Sequence, residues 1–183
     1  MSVDWDAYAD HAPDPSGPQW DQRVAKIVDR SIGSVLDIGG GDGGISRALM
    51  DAGHEVTMME CSAKRRARAE SKGVNAVEAV SPGAKFDTVL LGEVLEHQHN
   101  PGPMLAEAFW RAQERVVVTL PLNGWPDPTH QWRISLDTIS HPHGAHPNGQ
   151  MEQIVVTFQR GQCWPTNYWE RSATWARQFR EGR

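Results

Sequence analysis

The sequence predicts an α/β fold built on a doubly wound, mostly parallel sheet. Three observations support this prediction. Apolar segments of strand length alternate with amphipathic segments of helix length over residues 20–121, a glycine-rich turn joins the first strand to a helix, and glycines follow the predicted helices. Strands that alternate with helices favour a parallel sheet covered on both faces. The chain has 183 residues, 39% of them apolar, and is long enough to bury one sizeable core.

The predicted elements follow one another in a regular order. Hydrophobic residues at helical spacing, such as Trp20, Val24 and Ile27, define helices, and short apolar runs define strands. The predicted strands are Ser34–Ile38, Glu55–Glu60, Val74–Val77, Phe86–Leu91 and Arg115–Leu120. The predicted helices are Trp20–Ile32, Ile45–Ala52, Ala63–Lys72 and a segment that Asn100 caps, Pro101 begins and Ala112 ends.

One connection is too short for the helix that normally joins parallel strands. Only residues 78–85 lie between the third and fourth strands. In the strand order 3-2-1-4-5 this link crosses about three strand spacings, roughly 14 Å. It must also return along the strand length, and eight extended residues reach only ~26–29 Å. The sequence therefore predicts a fold trimmed between strands 3 and 4, with solvent or a partner covering that face of the sheet.

The N-terminal segment differs in character from this central region. Residues 1–19 are rich in Asp, Pro and aromatic residues and are predicted to form an irregular arm. The arm is either a lid, in which Trp5 and Tyr8 cover a cofactor, or an unstructured terminus.

Residues 20–183 are predicted to form a single domain, in which residues 121–183 supply an irregular acceptor-side loop and C-terminal elements. These elements are strands at Gln153–Gln159 and Cys163–Glu170 and a helix at Ser172–Arg180. Five of the eight tryptophans follow residue 124, so this Trp-rich C-terminus is a candidate surface for a protein partner.

Composition argues against several classes of protein. No apolar run approaches the ~18 residues needed to span a bilayer, and the acidic N-terminus lacks the pattern of a signal peptide. The only cysteines, Cys61 and Cys163, lack close metal-ligand spacing, so reduced thiols in a cytoplasm are expected. A net charge of −5 gives no overall attraction to nucleic acid, although local basic patches remain compatible with it.

The turn after the first strand is the strongest functional signal. Residues 37–44 read Asp-Ile-Gly-Gly-Gly-Asp-Gly-Gly and open a helix. Glycines permit close backbone approach to a ligand, and the helix N-terminus directs its free N–H groups toward that ligand. Gly39, Gly41 and Gly44 fit the dinucleotide pattern G-x-G-x-x-G, whereas Asp37, Gly39, Gly41 and Gly43 fit D-x-G-x-G-x-G.

An acidic residue ends the second strand at the position expected for a ribose ligand. Glu60 follows Gly39 by 21 residues, and a carboxylate there can accept hydrogen bonds from both ribose hydroxyls. The alternative is a solvated acid at a strand end. Nicotinamide and S-adenosylmethionine (SAM) proteins share this feature, so Glu60 does not decide between them.

The fourth strand favours one of the two cofactors. The segment Phe86-Asp87-Thr88-Val89-Leu90-Leu91-Gly92-Glu93-Val94-Leu95-Glu96-His97, followed by Asn100-Pro101, resembles the signature of methyltransferases that O-methylate ubiquinone precursors. The D-x-G-x-G-x-G turn resembles the first motif of class I SAM-dependent methyltransferases. Together the resemblance covers residues 35–121 and implies the Rossmann-like methyltransferase fold, with SAM as cofactor.

The resemblance also implies which residues bind the cofactor. Asp37 and the glycine turn would hold the methionine part, Glu60 the ribose, and the backbone from Leu91 through Gly92 to Glu93 the amino-acid end. Cys61 is a further candidate cofactor-binding residue. The implied glycines are Gly39, Gly40, Gly41 and Gly43. The sequence departs from the family after the third strand, where an acidic residue usually lies near adenine. Here Glu78 or Ser81 would have to replace it.

Candidate catalytic groups follow the fourth strand. Glu93, Glu96 and His97 are spaced i, i+3, i+4, which would place them on one side of a helical turn, and His130 could approach from the loop after the fifth strand. Two carboxylates and two imidazoles suit Mg²⁺ or Mn²⁺. This set resembles the E-x-x-E-H…H metal site of small-RNA 3′-terminal 2′-O-methyltransferases, and Gln22-Arg23 faintly resembles another motif of that family.

Without a metal, His97 or His130 is the candidate general base, because a neutral imidazole accepts a proton near pH 7. His97 is equally compatible with a purely structural role.

A run of cations follows Glu60 and has two interpretations. Lys64, Arg65, Arg66 and Arg68 would suit the 2′-phosphate of NADP, or they form a solvated helix face. The solvated face is the favoured interpretation, because the carboxylate of Glu60 would repel that phosphate.

The sequence thus predicts SAM-dependent methyl transfer to a hydroxyl or amine of a small molecule. Two alternatives remain at this point: metal-assisted 2′-O-methylation of an RNA end or sugar, and a non-catalytic cofactor-binding module within an assembly.

Overall fold

The computed structural model describes residues 3–10, 16–121, 129, 146–147 and 153–159. The helices in this part of the chain are α1 (Trp5–Tyr8), α2 (Pro18–Arg30), α3 (Gly44–Asp51), α4 (Ala63–Ser71), a short 3-10 helix (Leu95–His97) and α5 (Gly102–Arg111). The strands are β1 (Ser34–Ile38), β2 (Glu55–Met59), β3 (Asn75–Val77), β4 (Phe86–Gly92), β5 (Ala112–Pro121), β6 (His146–Pro147) and β7 (Gln153–Gln159).

The strands form one sheet in the order β3-β2-β1-β4-β5-β7-β6. Strands β1 to β5 are parallel, and β7 runs antiparallel to both β5 and β6. This order confirms the predicted doubly wound sheet. The chain leaves β1 toward β2 and later returns to the other side of β1 as β4. The carboxyl ends of β1 and β4 therefore form the topological switch point, where open α/β sheets bind ligands.

Helices pack on both faces of the sheet because alternate strand residues point to opposite faces. Val35 of β1 packs with Ile27 of α2 and Leu49 of α3, and all three are fully buried. The adjacent Leu36 points to the other face, where it joins a core that includes Leu105 of α5. Burial of such side chains is worth about 1.5–3 kcal/mol each.

The predicted elements of residues 20–121 are all present, with shifts at their ends. The largest shift is in β5, which begins at Ala112 rather than Arg115 and follows α5 with no intervening loop. The N-cap of α5 is Pro101 and not the predicted Asn100, one residue earlier. The Asn100 side chain still accepts a hydrogen bond from the Gly102 amide at 3.1 Å.

The N-terminal arm contains a helical turn that the sequence prediction of an irregular segment missed. Asp4 is the N-cap of α1, and its side chain accepts a hydrogen bond from the Ala7 amide at 3.0 Å. A capping Asp favours helix formation at this position because it satisfies one of the free N–H groups of the first turn.

The predicted absence of a helix between β3 and β4 is confirmed. Residues 78–85, all of which the structure describes, form a turn and otherwise irregular backbone. Arg111, which is buried at the end of α5, donates hydrogen bonds to the carbonyls of Ser81 (3.1 Å) and Ala84 (3.2 Å). Arg111 thereby fixes the link, while Val80 packs against the core.

The sheet face without that helix carries polar side chains. Thr57 of β2 lies opposite Asn75 of β3, and the Asn75 amide donates to the Thr57 hydroxyl at 3.4 Å. The neighbouring Val56 and Met58 point to the opposite, helix-covered face, where both are buried. The polar residues therefore lie on the part of the sheet that a crossover helix would cover, and such a covered face would require apolar side chains.

The predicted strand Cys163–Glu170 and helix Ser172–Arg180 lie outside the described residues, and the domain boundaries at residues 19 and 121 stay predictions. Within the described part of the chain, no helix combines the length and the apolar character needed to cross a membrane.

The role of Arg111 can be tested against a matched arginine. Arg111 and Arg47 both pair with an acid four residues away, but Arg111 is buried and Arg47 is exposed. We expect Arg111→Met to lower the free energy of unfolding by about 2–3 kcal/mol, because two carbonyls lose their donor. Arg47→Met should change it much less, because an exposed ion pair contributes little to stability. Urea denaturation of both variants measures the difference, and equal losses would contradict this role of Arg111.

Candidate functional site

A cavity of about 360 Å³ opens at the carboxyl ends of β1, β2 and β4. Its walls come from the glycine turn, the residues that follow β2 and β4, the start of α2, and α1. A volume of this size lies at the lower end of the range of about 300–1,000 Å³ typical of small-molecule sites. Because the carboxyl ends of β1 and β4 form the topological switch point, the cavity lies where open α/β sheets bind ligands.

The turn after β1 requires glycine for two different reasons. Gly39, Gly41 and Gly43 have positive φ angles of 72°, 59° and 76°, which side-chain-bearing residues rarely adopt. Gly40 is required for space instead, because a Cβ atom there would lie 2.8 Å from the Asp37 carboxylate and overlap Met58. The predicted glycine turn is thus built tightly over the end of β1.

Asp37 lies in the floor of the cavity beneath this turn. It is 1% exposed, and its carboxylate accepts a hydrogen bond from the Ser46 hydroxyl of α3 at 2.6 Å. Burial raises the pKa of Asp37 from 3.8 to about 6; the Ser46 hydrogen bond opposes this rise, and the nearby charge of Glu60 adds to it. Asp37 therefore anchors α3 to β1 as well as contributing a carboxylate to the cavity.

Glu60 links the end of β2 to the glycine turn. Its Oε2 accepts a hydrogen bond from the Gly41 amide at 3.0 Å, and its Oε1 accepts one from the Ser62 amide at 2.9 Å. Glu60 is 6% exposed and lines the cavity. The Cys61 thiol also donates to Oε1 at 3.3 Å. An ionised carboxylate has about four acceptor sites, and Oε2 accepts only the Gly41 amide among these contacts, so it keeps capacity for a ligand hydroxyl.

Cys61 and Glu78 line the same end of the cavity as Glu60. Burial, together with the charge of Glu60, raises the pKa of the Cys61 thiol to about 11, so the thiol is protonated at neutral pH. The Glu78 carboxylate lies 3.7 Å from the Arg66 guanidinium. Of the two residues predicted near adenine, Glu78 lines the cavity, whereas Ser81 binds Arg111 through its carbonyl and is not among the lining residues.

The end of β4 supplies Gly92 and Glu93 to the cavity, whereas the side chain of Leu91 is fully buried in the core. Glu93 has a φ of 57°, an unusual value for a residue other than glycine. Its amide donates a hydrogen bond to the Thr119 carbonyl of β5 at 3.1 Å. Left-handed backbone of this kind costs of order 1–3 kcal/mol and is concentrated at functional sites.

This backbone geometry corrects the prediction that Glu93, Glu96 and His97 share a helical turn. The 3-10 helix spans only Leu95–His97, so Glu93 lies before it in a different conformation. No group of three or more His, Cys, Asp or Glu side chains among the described residues is arranged to hold a metal ion. The predicted Mg²⁺ or Mn²⁺ site is therefore not supported; its fourth member, His130, lies outside the described residues.

His97 lines the cavity and contacts α1. Its ring meets the rings of Trp5 and Tyr8 edge-on, with centroids 5.4 Å and 6.5 Å away. Its Nδ1 lies 2.8 Å from the Thr129 hydroxyl. These contacts hold the imidazole in a fixed orientation at the cavity wall.

Arg23 of α2 lines the cavity, although no role in cofactor binding was predicted for it from the sequence. It is buried, lies over the Trp20 ring at 4.4 Å, and places its guanidinium 3.6 Å from the Glu93 carboxylate. Burial lowers the pKa of Arg23, and the charges of Glu93, Glu96 and Asp37 oppose that effect. A signal was available in the sequence, because Arg23 shares the apolar face of α2 with Trp20 and Ile27, where a solvated arginine is not expected.

The cations of α4 pair with neighbouring acids rather than forming a phosphate site. Lys64 and Arg68 bind Asp10, and Arg65 and Arg68 bind Asp42. Together with the buried Glu60 beside them, these ion pairs favour the interpretation of a charged surface over a 2′-phosphate site.

The raised pKa of Asp37 predicts a specific pH dependence. The folded state holds this proton more tightly than the unfolded state, so Asp37 stabilises the fold below about pH 4 and this contribution is lost as the pH rises through about 6. The unfolding free energy of the wild type minus that of Asp37→Asn should therefore rise by about 3 kcal/mol from about pH 7.5 to about pH 4. Urea denaturation across this range measures it. A difference independent of pH would show that burial does not raise the pKa of Asp37.

The comparisons with known proteins agree with this geometry. A family model described as a methyltransferase domain matches residues 11–155. No curated protein sequence matches this chain significantly.

Similar folds occur among solved structures. Magnesium protoporphyrin IX methyltransferase from Synechocystis PCC 6803 with bound SAH has a TM-score of 0.64 and 17% identity, covering 86% of this chain and 94% of that chain. A SAM dependent methyltransferase from Archaeoglobus fulgidus has a TM-score of 0.55 and 19% identity, covering 66% and 63%. The mitomycin 7-O-methyltransferase MmcR has a TM-score of 0.59 and 15% identity, covering 76% and 53%.

These matches confirm the methyltransferase prediction, although the more specific resemblance to enzymes that methylate ubiquinone precursors is not confirmed. The family model covers most of the chain, and the sheet order and the glycine turn agree with it. The chain therefore belongs to the methyltransferase domain family and is a class I, SAM-dependent methyltransferase.

Proposed function

We propose that this protein binds SAM in the cavity at the switch point and transfers its methyl group to a hydroxyl or amine of a small molecule. The observation that carries the proposal is the Glu60 carboxylate, which ends β2, binds the Gly41 amide and lines the cavity. A carboxylate in this position can accept hydrogen bonds from the two ribose hydroxyls of a nucleoside.

The opposite end of the cavity suits the amino-acid part of SAM. That part carries a carboxylate and an ammonium group. Arg23 supplies a buried cation, and Glu93 supplies a carboxylate 3.6 Å from it. In our proposal the guanidinium binds the ligand carboxylate and Glu93 attracts the ammonium, while the amides of the glycine turn contact the groups between them.

The reaction requires alignment more than covalent participation of the protein. SAM supplies an activated methyl group on a sulfonium, which an acceptor oxygen or nitrogen displaces in line. The protein orients the two reactants and excludes water. His97 is the described residue that we propose as general base, because it lines the cavity and its imidazole can accept the proton that the acceptor releases.

Several observations favour a small-molecule acceptor. The similar enzymes act on magnesium protoporphyrin IX and mitomycin by their names, and methylation of a small molecule by this chain is our inference from them. The net charge of −5 and the ion pairs of the α4 cations with Asp10 and Asp42 argue against an RNA-binding surface on α4. The Trp-rich C-terminus, on which the assembly alternative depends, lies outside the described residues.

The cofactor assignment can be tested by calorimetric titration with S-adenosylhomocysteine. We expect the wild type to bind S-adenosylhomocysteine and to show no binding of NADH. Glu60→Gln should weaken binding about 10–100-fold, because charge-assisted hydrogen bonds to the ribose become neutral ones. Gly40→Ala should weaken binding by more than Gly83→Ala, because a Cβ at position 83 meets no atom within 4 Å. Equal effects of the two alanines, or binding of NADH alone, would contradict the assignment.

Two ligands of different length can distinguish a specific role of Arg23 from a general loss of folding. 5′-Methylthioadenosine contains the nucleoside but not the amino-acid group. Arg23→Met should weaken S-adenosylhomocysteine binding at least about tenfold, since a charge-assisted contact to the carboxylate is lost, while binding of methylthioadenosine stays near the wild-type value. Retained binding of the short ligand shows that the variant is folded. If both ligands weaken equally, Arg23 does not recognise the amino-acid end.

A further inference from the structure

We propose that Asp6 is a positioning residue for cofactor binding: it holds α1 against α4 so that Trp5 and Tyr8 form a wall of the cavity. This inference rests on the proposed binding of SAM and adds a residue to that site. The three residues lie in the N-terminal arm, which the sequence left open as either a lid or an unstructured terminus.

Asp6 is joined directly to the segment that carries the ribose ligand. Its Oδ1 accepts a hydrogen bond from the Ser62 hydroxyl at 2.5 Å and another from the Lys64 amide at 3.3 Å. The Ser62 amide in turn donates to Glu60 at 2.9 Å. A single residue, Ser62, therefore binds the Glu60 carboxylate through its backbone and the arm through its side chain.

Charged contacts extend this attachment along the arm. The Lys64 ammonium lies 2.6 Å from the Asp10 carboxylate, and the Arg68 guanidinium donates to the Ala9 carbonyl at 2.9 Å. Ala9 is 3% exposed, so the arm is packed as well as paired. Two of the cations that follow Glu60, Lys64 and Arg68, therefore bind the acidic arm.

The arm depends on these contacts because α1 is only four residues long. A helix this short is unstable in isolation, since nucleation fixes several residues for each hydrogen bond gained. Its position must therefore come from tertiary contacts. Asp6 makes the contact nearest to the ribose end of the cavity.

The aromatic pair that Asp6 positions spans the two ends of the site. The Tyr8 ring lies 5.3 Å from the Arg65 guanidinium on the α4 side, and Trp5 contacts His97 on the β4 side. Both aromatic residues line the cavity. A ligand in the cavity would therefore contact the arm on one side, and loosening of the arm would speed its dissociation.

The pH dependence of the contact has a definite sign. The Ser62 hydrogen bond, followed by that of the Lys64 amide, lowers the pKa of Asp6 below 3.8. The groups that face it are the Ser62 hydroxyl, the Ala63 and Lys64 amides and the Lys64 ammonium. The attachment is therefore present at neutral pH and is lost only as the pH falls through this lowered pKa.

The test compares three full-length variants with the wild type: Asp6→Ala, Asp6→Asn, and Asp29→Ala as a control. Asp29 is exposed on α2, so this control removes the same charge away from the arm. We measure hydrogen exchange of the arm amides and the dissociation rate of S-adenosylhomocysteine. Asp6→Ala should expose the arm amides to faster exchange and increase the dissociation rate about tenfold. Asp6→Asn, which keeps an acceptor oxygen, should give a smaller change, and Asp29→Ala should give none.

The two proposals fail in different ways in this experiment. Unchanged exchange of the arm and unchanged dissociation in Asp6→Ala, with normal ligand binding by the wild type, would overturn the role of Asp6 alone. Equal effects of Asp6→Ala and Asp29→Ala would overturn it as well, since net charge would then be the cause. If the wild type binds no S-adenosylhomocysteine, the proposed function fails, and with it the role of Asp6 in cofactor binding.

Discussion

The hydrogen bond from the Gly41 amide to Glu60 fixes the geometry on which the rest of the site depends. It joins the turn after β1 to the residue after β2 at 3.0 Å, across the mouth of the cavity. The turn can approach Glu60 this closely because Gly39, Gly41 and Gly43 adopt positive φ. The same turn covers Asp37, whose carboxylate accepts a hydrogen bond from the Ser46 hydroxyl and thereby anchors α3 to β1. Two hydrogen bonds thus connect β1 to its neighbours at this point: one joins the glycine turn to the Glu60 carboxylate after β2, and the other joins Asp37 to α3.

The site concentrates negative charge in a way that costs stability without a ligand. Asp37, Glu60, Glu93 and Glu96 lie around the cavity or beneath it, and the lining cations are Arg23 of α2 and Arg65 of α4. Buried acids raise their pKa or need partners, because desolvation penalises the charged form. Glu93 adds strained backbone to this cost. Such an arrangement is explained most simply by a ligand that brings its own positive charge, as the sulfonium and ammonium groups of SAM do.

The sequence predicted the sheet order and the glycine turn because both depend on local patterns. Glycine spacing, the alternation of strands with helices and the length of residues 78–85 are visible without tertiary information. Three features were not predictable in this way. The spacing of Glu93, Glu96 and His97 places their side chains on one face only if the backbone is helical. The hydrogen bond from the Glu93 amide to the Thr119 carbonyl keeps Glu93 out of the helix. Arg23 meets Glu93 only after folding. The start of β5 at Ala112 depends on its pairing with Phe86 of β4.

The missing crossover helix does not disturb the site, because the site is built on the other strands. Its absence exposes a face of β2 and β3, where Thr57 and Asn75 bind each other. The switch point lies between β1 and β4, whose faces α2, α3 and α5 cover. Arg111 fixes the helix-free link between β3 and β4 through its hydrogen bonds to the carbonyls of Ser81 and Ala84. This fold therefore keeps its cavity at the switch point without a helix between β3 and β4, and a buried donor satisfies the carbonyls of the short link.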